Sequence, residues 1–195
     1  WSSTFFTVTI DPNGGVYDNK AGVSEFQVRE GTPYTMLEAT RDGMLFHYWH
    51  YTGTETHMDD DSFTVTGDVN LTAEWQPIVA RIERTGKLYP SIMAAHAAAN
   101  PDNITDDIIT LLVDTEEIVT NEKQVTLDLN GHTVHGYLTN TTNGNLTLIN
   151  GEINNYDNPI ADTANPHGAA VINNGTLTMG IDDYTDGETN VKAPN

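Results

Sequence analysis

The chain has no cysteine among its 195 residues, so no disulfide framework or thiolate metal site can hold it together, and packing alone must supply its stability. Basic residues are scarce as well. Lys and Arg total 8 against 28 Asp and Glu, a formal charge of −20, which repels nucleic-acid phosphates and anionic membrane surfaces alike; neither is expected as a partner. Residues 1–76 carry 12 acids and 3 bases and the rest carry 16 and 5, so acidity is a property of the whole surface and not of a tail. No apolar run is long enough to span a bilayer, and no membrane insertion is expected. Trp1 is preceded by neither an initiator methionine nor a charged-then-apolar leader, and the chain reads as an excised fragment of a longer protein. Zero cysteine with many Thr, Asn, Asp and Gly points to an extracellular location, secreted or on a bacterial cell surface.

What is present is a repeat. Gln124-Val-Thr-Leu-Asp-Leu-Asn-Gly-His132, Asn145-Leu-Thr-Leu-Ile-Asn-Gly151 and Asn174-Gly-Thr-Leu-Thr-Met179 share one pattern. Val125/Leu127/Leu129, Leu146/Leu148 and Leu177/Met179 alternate with Thr126, Asp128, Thr147 and Thr178, so the first set is expected inward and the second outward. A strand recurring every twenty-odd residues buries its apolar side against its own neighbours in a coil, the pattern of a parallel β-helix. Leu127 to Leu148 is a step of 21 residues and Leu148 to Met179 a step of 31; the extra ten are assigned to a loop within Tyr156 to His167.

The first 76 residues read as a separate small sheet. Phe5 to Ile10 alternates strand-forming residues, Asp11-Pro-Asn-Gly-Gly15 is turn chemistry, and Ser24 to Arg29, Leu45 to Tyr51, Ser62 to Thr66 and Val69 to Trp75 are further strands. The segments Phe6-Thr-Val-Thr-Ile-Asp-Pro-Asn-Gly-Gly15, the aromatic strand carrying Trp49, and Val65-Thr-Gly-Asp-Val-Asn-Leu-Thr-Ala-Glu-Trp75 together resemble the internalin B-repeats, also called Listeria-Bacteroides repeats. That resemblance implies a β-grasp-like module strung on bacterial surface proteins, with Asn13-Gly14-Gly15 as the hairpin turn and Trp49 and Trp75 in the core. His47-Tyr48-Trp49-His50-Tyr51 stands where the family has a Gly-Trp-Tyr element.

Residues 77–87 are expected as a linker and 88–195 as the second domain. Tyr89 to Ala99 is the one clear helix, with Pro90 in its first turn, alanines of high propensity, and Asn100-Pro101 as its stop. A helix followed by such coils resembles the N-terminal end of right-handed, pectin-lyase-like β-helices, in which a short helix covers the open first coil. The expected class is therefore mainly β: a β-grasp-like domain, then a short helix-capped right-handed parallel β-helix.

Candidate chemistry is thin. Elimination on a uronate needs a cation or arginine to neutralise the carboxylate, and residues 101–195 contain no arginine. A glycoside hydrolase needs paired carboxylates about 5–10 Å apart; Asp128 has Ile149 or Gly180 at its aligned positions, leaving Glu152, Asp157 and Asp162 near the inserted loop. His47/His50 and His132/His135 are spaced to face opposite sides of a strand. Asp182, Asp183 and Asp186 offer oxygen ligands suited to calcium without a full calcium-loop spacing, and no other cofactor is implied. Asn143-Gly144, Asn150-Gly151 and Asn174-Gly175 are read as coil corners whose amides stack. The reading is a non-catalytic recognition and spacer fragment of a bacterial surface adhesin, a monomer within a longer multi-domain chain. By analogy it binds a host glycoprotein or glycan (mucin, immunoglobulin or matrix) through Tyr156, Asn158 and His167 of the loop or Tyr48 and Tyr51 of the aromatic strand. The alternative is the front of a polysaccharide lyase or glycoside hydrolase whose catalytic coils lie beyond Asn195.

Overall fold

The computed structural model describes residues 3–58, 60–100, 107–155 and 169–180. The chain is mainly β and divides into two compact units, Trp1–Pro77 and Ile78–Asn195. In the first, β1 (Phe5–Asp11) is followed by the short pair β2 (Val16–Tyr17) and β3 (Lys20–Ala21), then β4 (Ser24–Arg29), β5 (Pro33–Thr35), β6 (Met44–Tyr51), β7 (Ser62–Thr64) and β8 (Val69–Pro77). The main sheet has the order β4-β1-β8-β6, with a parallel central pair, β1 and β8, and antiparallel pairs to either side. Alternation in β1 and β8 sends Val8, Ile10, Leu71 and Ala73 into a core shared with Tyr17, Met36, Trp49 and Val65. Trp49 is buried there, and Trp75 packs on the same core while remaining partly exposed.

Asn13 and Gly14 have φ of 48° and 82°, and the chain turns at that point. The turn does not join two paired strands, because β1 takes β4 as its partner and the β2–β3 hairpin intervenes. That hairpin closes through Asp18 and Asn19 at φ 47° and 62°, two successive left-handed residues of the kind a tight hairpin demands. Gly15 is required for contact: a Cβ there would stand 2.5 Å from the Trp75 ring and 2.6 Å from the Thr40 carbonyl. The Trp75 indole lies against this turn and donates to Pro12 O at 3.1 Å.

The second unit opens with β9 (Ala80–Ile82) and β10 (Lys87–Tyr89), where a linker over 77–87 was expected. Val79, Ala80 and Ile82 are buried core residues, and three positions are too few for their alternation to stand out in the sequence. The helix α1 (Ile92–Ala98) is shorter than the expected Tyr89–Ala99, since Ser91 is its N-cap and accepts from Ala94 N at 2.9 Å. Among the described residues nine strands then follow in three-strand sets: β11 (Ile108–Leu111), β12 (Thr115–Glu116), β13 (Val119–Asn121); β14 (Gln124–Asp128), β15 (Thr133–His135), β16 (Leu138–Asn140); β17 (Asn145–Ile149), β18 (Glu152–Asn154), β19 (Val171–Asn173); β20 (Thr176–Gly180) begins a further set. Each strand pairs in parallel with its counterpart in the next set, giving sheets β11-β14-β17-β20, β12-β15-β18 and β13-β16-β19, with β10-β9 added antiparallel to β11. Leu127, Leu148 and Met179 are in register. Leu127 and Leu148 are buried, whereas Met179 is 55% exposed; among the described residues β20 has a neighbour on one side only.

The helix is fastened to the first set of strands at both ends. Ile92 N and Met93 N each donate to the Glu117 carboxylate at 2.9 Å, and Lys123 Nζ donates to the carbonyls of His96, Ala97 and Ala99 at 2.7, 3.0 and 3.0 Å. An anion at the N-terminus and a cation at the C-terminus satisfy the free groups of the end turns and match the helix dipole. Ile92, Ala95 and Ala99 meanwhile bury against Ala80, Ile82, Ile109 and Val119 in one core.

Candidate functional site

Strand β6 carries a bulge between Phe46 and Tyr48, which makes His47 the extra residue. An inserted residue shifts the alternation by one, so Phe46, Trp49 and Tyr51 all pack on the core. Tyr48 lies on the opposite face, its ring 4.3 Å from that of His47 and 5.1 Å from that of His57. The two tyrosines named as contacts are thus separated: Tyr48 belongs to the outer surface and Tyr51 to the packed side. Around Tyr48 the outer face gathers His50, whose Nε2 is 3.2 Å from Glu74 Oε1 and whose Nδ1 is 3.3 Å from Thr54 O. His57 is bridged directly opposite His50.

On the second unit the sheet β12-β15-β18 turns Glu116, His135 and Asn154 outward in one register column and Thr133 and Glu152 in another. Asp114 accepts from Thr133 N at 3.0 Å and lies 3.1 Å from His132 Nδ1. The Thr133 amide, then His132, hold the Asp114 carboxyl below its ordinary range, with His135 adding to the field. His132 precedes β15 in a turn, so both imidazoles act on Asp114 although their spacing would separate them on a regular strand. Asp128 spends its Oδ1 on Asn130 N at 2.8 Å and Asn150 Nδ2 at 3.1 Å, which makes it a turn residue. Glu152 is exposed on β18. Tyr156, Asn158, His167, Asp157, Asp162, Asp182, Asp183 and Asp186 lie outside the described residues.

No protein-family model, curated protein or solved structure matches the chain. Its reading rests on its own residues. Among the described residues, no three His, Asp or Glu side chains converge to hold a metal ion, and no helix is long and apolar enough to cross a membrane.

Asparagines form the feature that the sequence reading placed wrongly. The stacked amides belong to Asn121, Asn140 and Asn173: Asn121 Nδ2 donates to Asn140 Oδ1 at 2.8 Å, and Asn140 Nδ2 to Asn173 Oδ1 at 2.8 Å. Of the Asn-Gly pairs proposed as corners, Asn150 does take left-handed backbone, at φ 58°, but none supplies the ladder. The signal was available in Val119-Thr-Asn121, Leu138-Thr-Asn140 and Val171-Ile-Asn173, which end the three strands of one sheet. Gly144 makes room for it, since a Cβ there would lie 2.0 Å from Asn140 Oδ1.

The second unit also buries two titratable groups, His96 and Asp107. His96 Nε2 is 2.9 Å from Asn121 Oδ1, and burial pushes its pKa below the usual 6.5. Asp107 is fully buried, accepts from Arg84 Nε at 2.6 Å and from Asn100 N, and is held below its usual 3.8 mainly by the Arg84 bond. Both groups have lower pKa values folded than unfolded. In each case the unfolded chain takes up the proton first, so stability is complete above the unfolded pKa and is lost as pH falls toward the folded one. The second unit should therefore weaken in two stages on acidification, the first below about pH 6.5 and the second below about pH 4. Thermal melts across pH 3–8 test this: Asp107→Asn should flatten the acid stage, and a melting temperature indifferent to pH would exclude it.

Proposed function

We propose that residues 1–77 are a β-grasp-like module of the internalin B-repeat kind and that residues 78–195 begin a helix-capped right-handed parallel β-helix. Together they form a non-catalytic recognition and spacer fragment of an extracellular, adhesin-like bacterial surface protein. A mixed sheet with a parallel central pair supports the first assignment, and three stacked parallel sheets under a short helix support the second. The observation that carries the functional reading is a difference in connection length. β15 ends at His135 and β16 starts at Leu138, so two residues join them; β18 ends at Asn154 and β19 starts at Val171, so sixteen do. A long insertion on an otherwise regular frame is where binding residues concentrate. The acidic surface directs the search toward a host glycoprotein or glycan and away from nucleic acid.

The test compares the chain with a variant in which residues 156–167 are replaced by a short Gly-Ser link, using mucins, immunoglobulins and matrix proteins as probes. At least one should bind the parent and lose tenfold or more in affinity for the variant. Equal binding by both chains would remove the loop from the proposal, and new reducing ends or unsaturated products from a polysaccharide panel would favour the enzyme alternative.

A further inference from the structure

We infer that the outer edge of β4 is an interaction surface for a second copy of this chain, which pairs with it antiparallel about a two-fold axis at Gln27. Glu30 N donates to Thr4 O at 2.9 Å. With the register of β1 on β4, this makes Thr4/Glu30, Phe6/Val28, Val8/Phe26 and Ile10/Ser24 the hydrogen-bonded pairs. The amides and carbonyls of Glu25, Gln27 and Arg29 therefore point away from β1, just as Thr7 N points away from β4, to Asp68 Oδ1 at 2.7 Å. Of these outward groups, Arg29 O accepts from Thr32 N at 3.1 Å and keeps a second lone pair.

Sheet edges are normally blunted by a bulge, a proline, a covering segment or charged side chains. The opposite edge, β6, has the bulge at His47 and is covered by residues 56–58, where Thr56 O accepts from Tyr51 N and Met58 N donates to Trp49 O. β4 runs for six residues in unbroken register without a proline, and among the described residues no strand lies beyond it. Its charges, Glu25 and Arg29, are opposite in sign.

Those charges name the occupant. Antiparallel pairing of two β4 strands about Gln27 sets Gln27 opposite Gln27, and Glu25 of each copy opposite Arg29 of the other. The residues whose backbone groups face out are the same three, so charge and hydrogen-bond register agree. Parallel pairing in register would instead set Glu25 beside Glu25 and Arg29 beside Arg29. On the inner face Phe26 and Val28, both only partly buried, become a close pair across the axis, with Cα atoms about 4.5 Å apart. A contact of this isologous kind closes at two copies. Exposed ion pairs add little energy, so they set register more than affinity. One strand pair between chains of charge −20 gives weak association, and the monomer expected from the sequence gives way to a concentration-dependent dimer.

Sedimentation equilibrium of the whole chain should show monomer and dimer exchanging with a Kd in the high micromolar range. Gln27→Pro should weaken the dimer tenfold or more. Position 27 gives no amide to β1, so the substitution removes an outward donor and leaves the β1–β4 ladder whole, which near-UV circular dichroism verifies. Glu25→Arg and Arg29→Glu should each weaken association several-fold by setting like charges opposite one another. The double exchange Glu25→Arg/Arg29→Glu should restore it, a rescue that loss of folding could not produce. Because the chain has no cysteine, a single introduced thiol reports position. Hydrogen-bonded partners stand about 5.5 Å apart at Cα, within disulfide reach, so mild oxidation should cross-link Gln27→Cys chains and not Glu25→Cys chains. The inference is overturned if the parent stays monomeric at millimolar concentration, which would leave the edge to a strand of another protein. It is overturned equally if Gln27→Pro dimerises as the parent does or if the double exchange fails to restore association. No host ligand enters the assay, so its failure is separate from that of the adhesin reading.

Discussion

Replacing Asn140 by alanine should destabilise the second unit by about 3–5 kcal/mol. The Asn140 side chain is fully buried, accepts from Asn121 Nδ2, and donates to Asn173 Oδ1 at 2.8 Å and Thr176 O at 2.9 Å. Truncation removes one partner each from Asn121 Nδ2, Asn173 Oδ1 and Thr176 O and leaves a cavity, and a buried polar group short of a partner costs about 1–3 kcal/mol. Asn140→Asp should be comparably harmful, because it sets a carboxylate against Asn173 Oδ1 and Thr176 O, which are acceptors. Chemical denaturation followed by circular dichroism would measure both; a loss below about 1 kcal/mol for the alanine variant would mean that the ladder does not hold the unit together.

Leu148→Ala should cost about 2–5 kcal/mol, while Met179→Ala, one position further along the same column, should cost under about 1 kcal/mol. Leu148 is 5% exposed between Leu127 and Met179, whereas Met179 is 55% exposed on β20, which among the described residues is paired on one side only. The contrast tests the stacking more sharply than either value alone. Equal losses would show that Met179 is packed as Leu148 is, and a negligible loss at Leu148 would show that the column is not packed.

The reach of the sequence follows from how each feature is encoded. Leu127, Leu148 and Met179 were legible because period-2 alternation inside a repeat specifies both face and register, even across a step of 31 residues. The strands at Phe5, Ser24 and Val69 were legible for the same reason. Other features depend on partners far away in the chain. β9 is too short to show a period and becomes a strand because β11 and β10 flank it. Tyr48 and Tyr51 were named together as contacts, and ordinary alternation separates them by three positions; the bulge at His47, visible only in the pairing with β8, is what puts Phe46 on the core face with Trp49. The asparagine ladder is masked in the sequence by the more conspicuous Asn-Gly pairs, where backbone conformation explains the asparagine. Asn121, Asn140 and Asn173 are instead chosen for what their amides meet in the neighbouring set of strands. Glu117 and Lys123, which hold the helix, would pass for ordinary surface charges in any reading of the chain alone.

The parallel stacking also sets how this chain would respond to tension. A set of strands such as 127–148 contributes one interstrand spacing, about 4.8 Å, to folded length, yet its 21 residues stretch to roughly 70 Å once peeled away. Because each set pairs only with its neighbours, force can remove them one at a time, and each release breaks one amide link of the ladder along with its backbone pairs. Such a segment acts as a stepwise shock absorber, lengthening about fifteenfold per step.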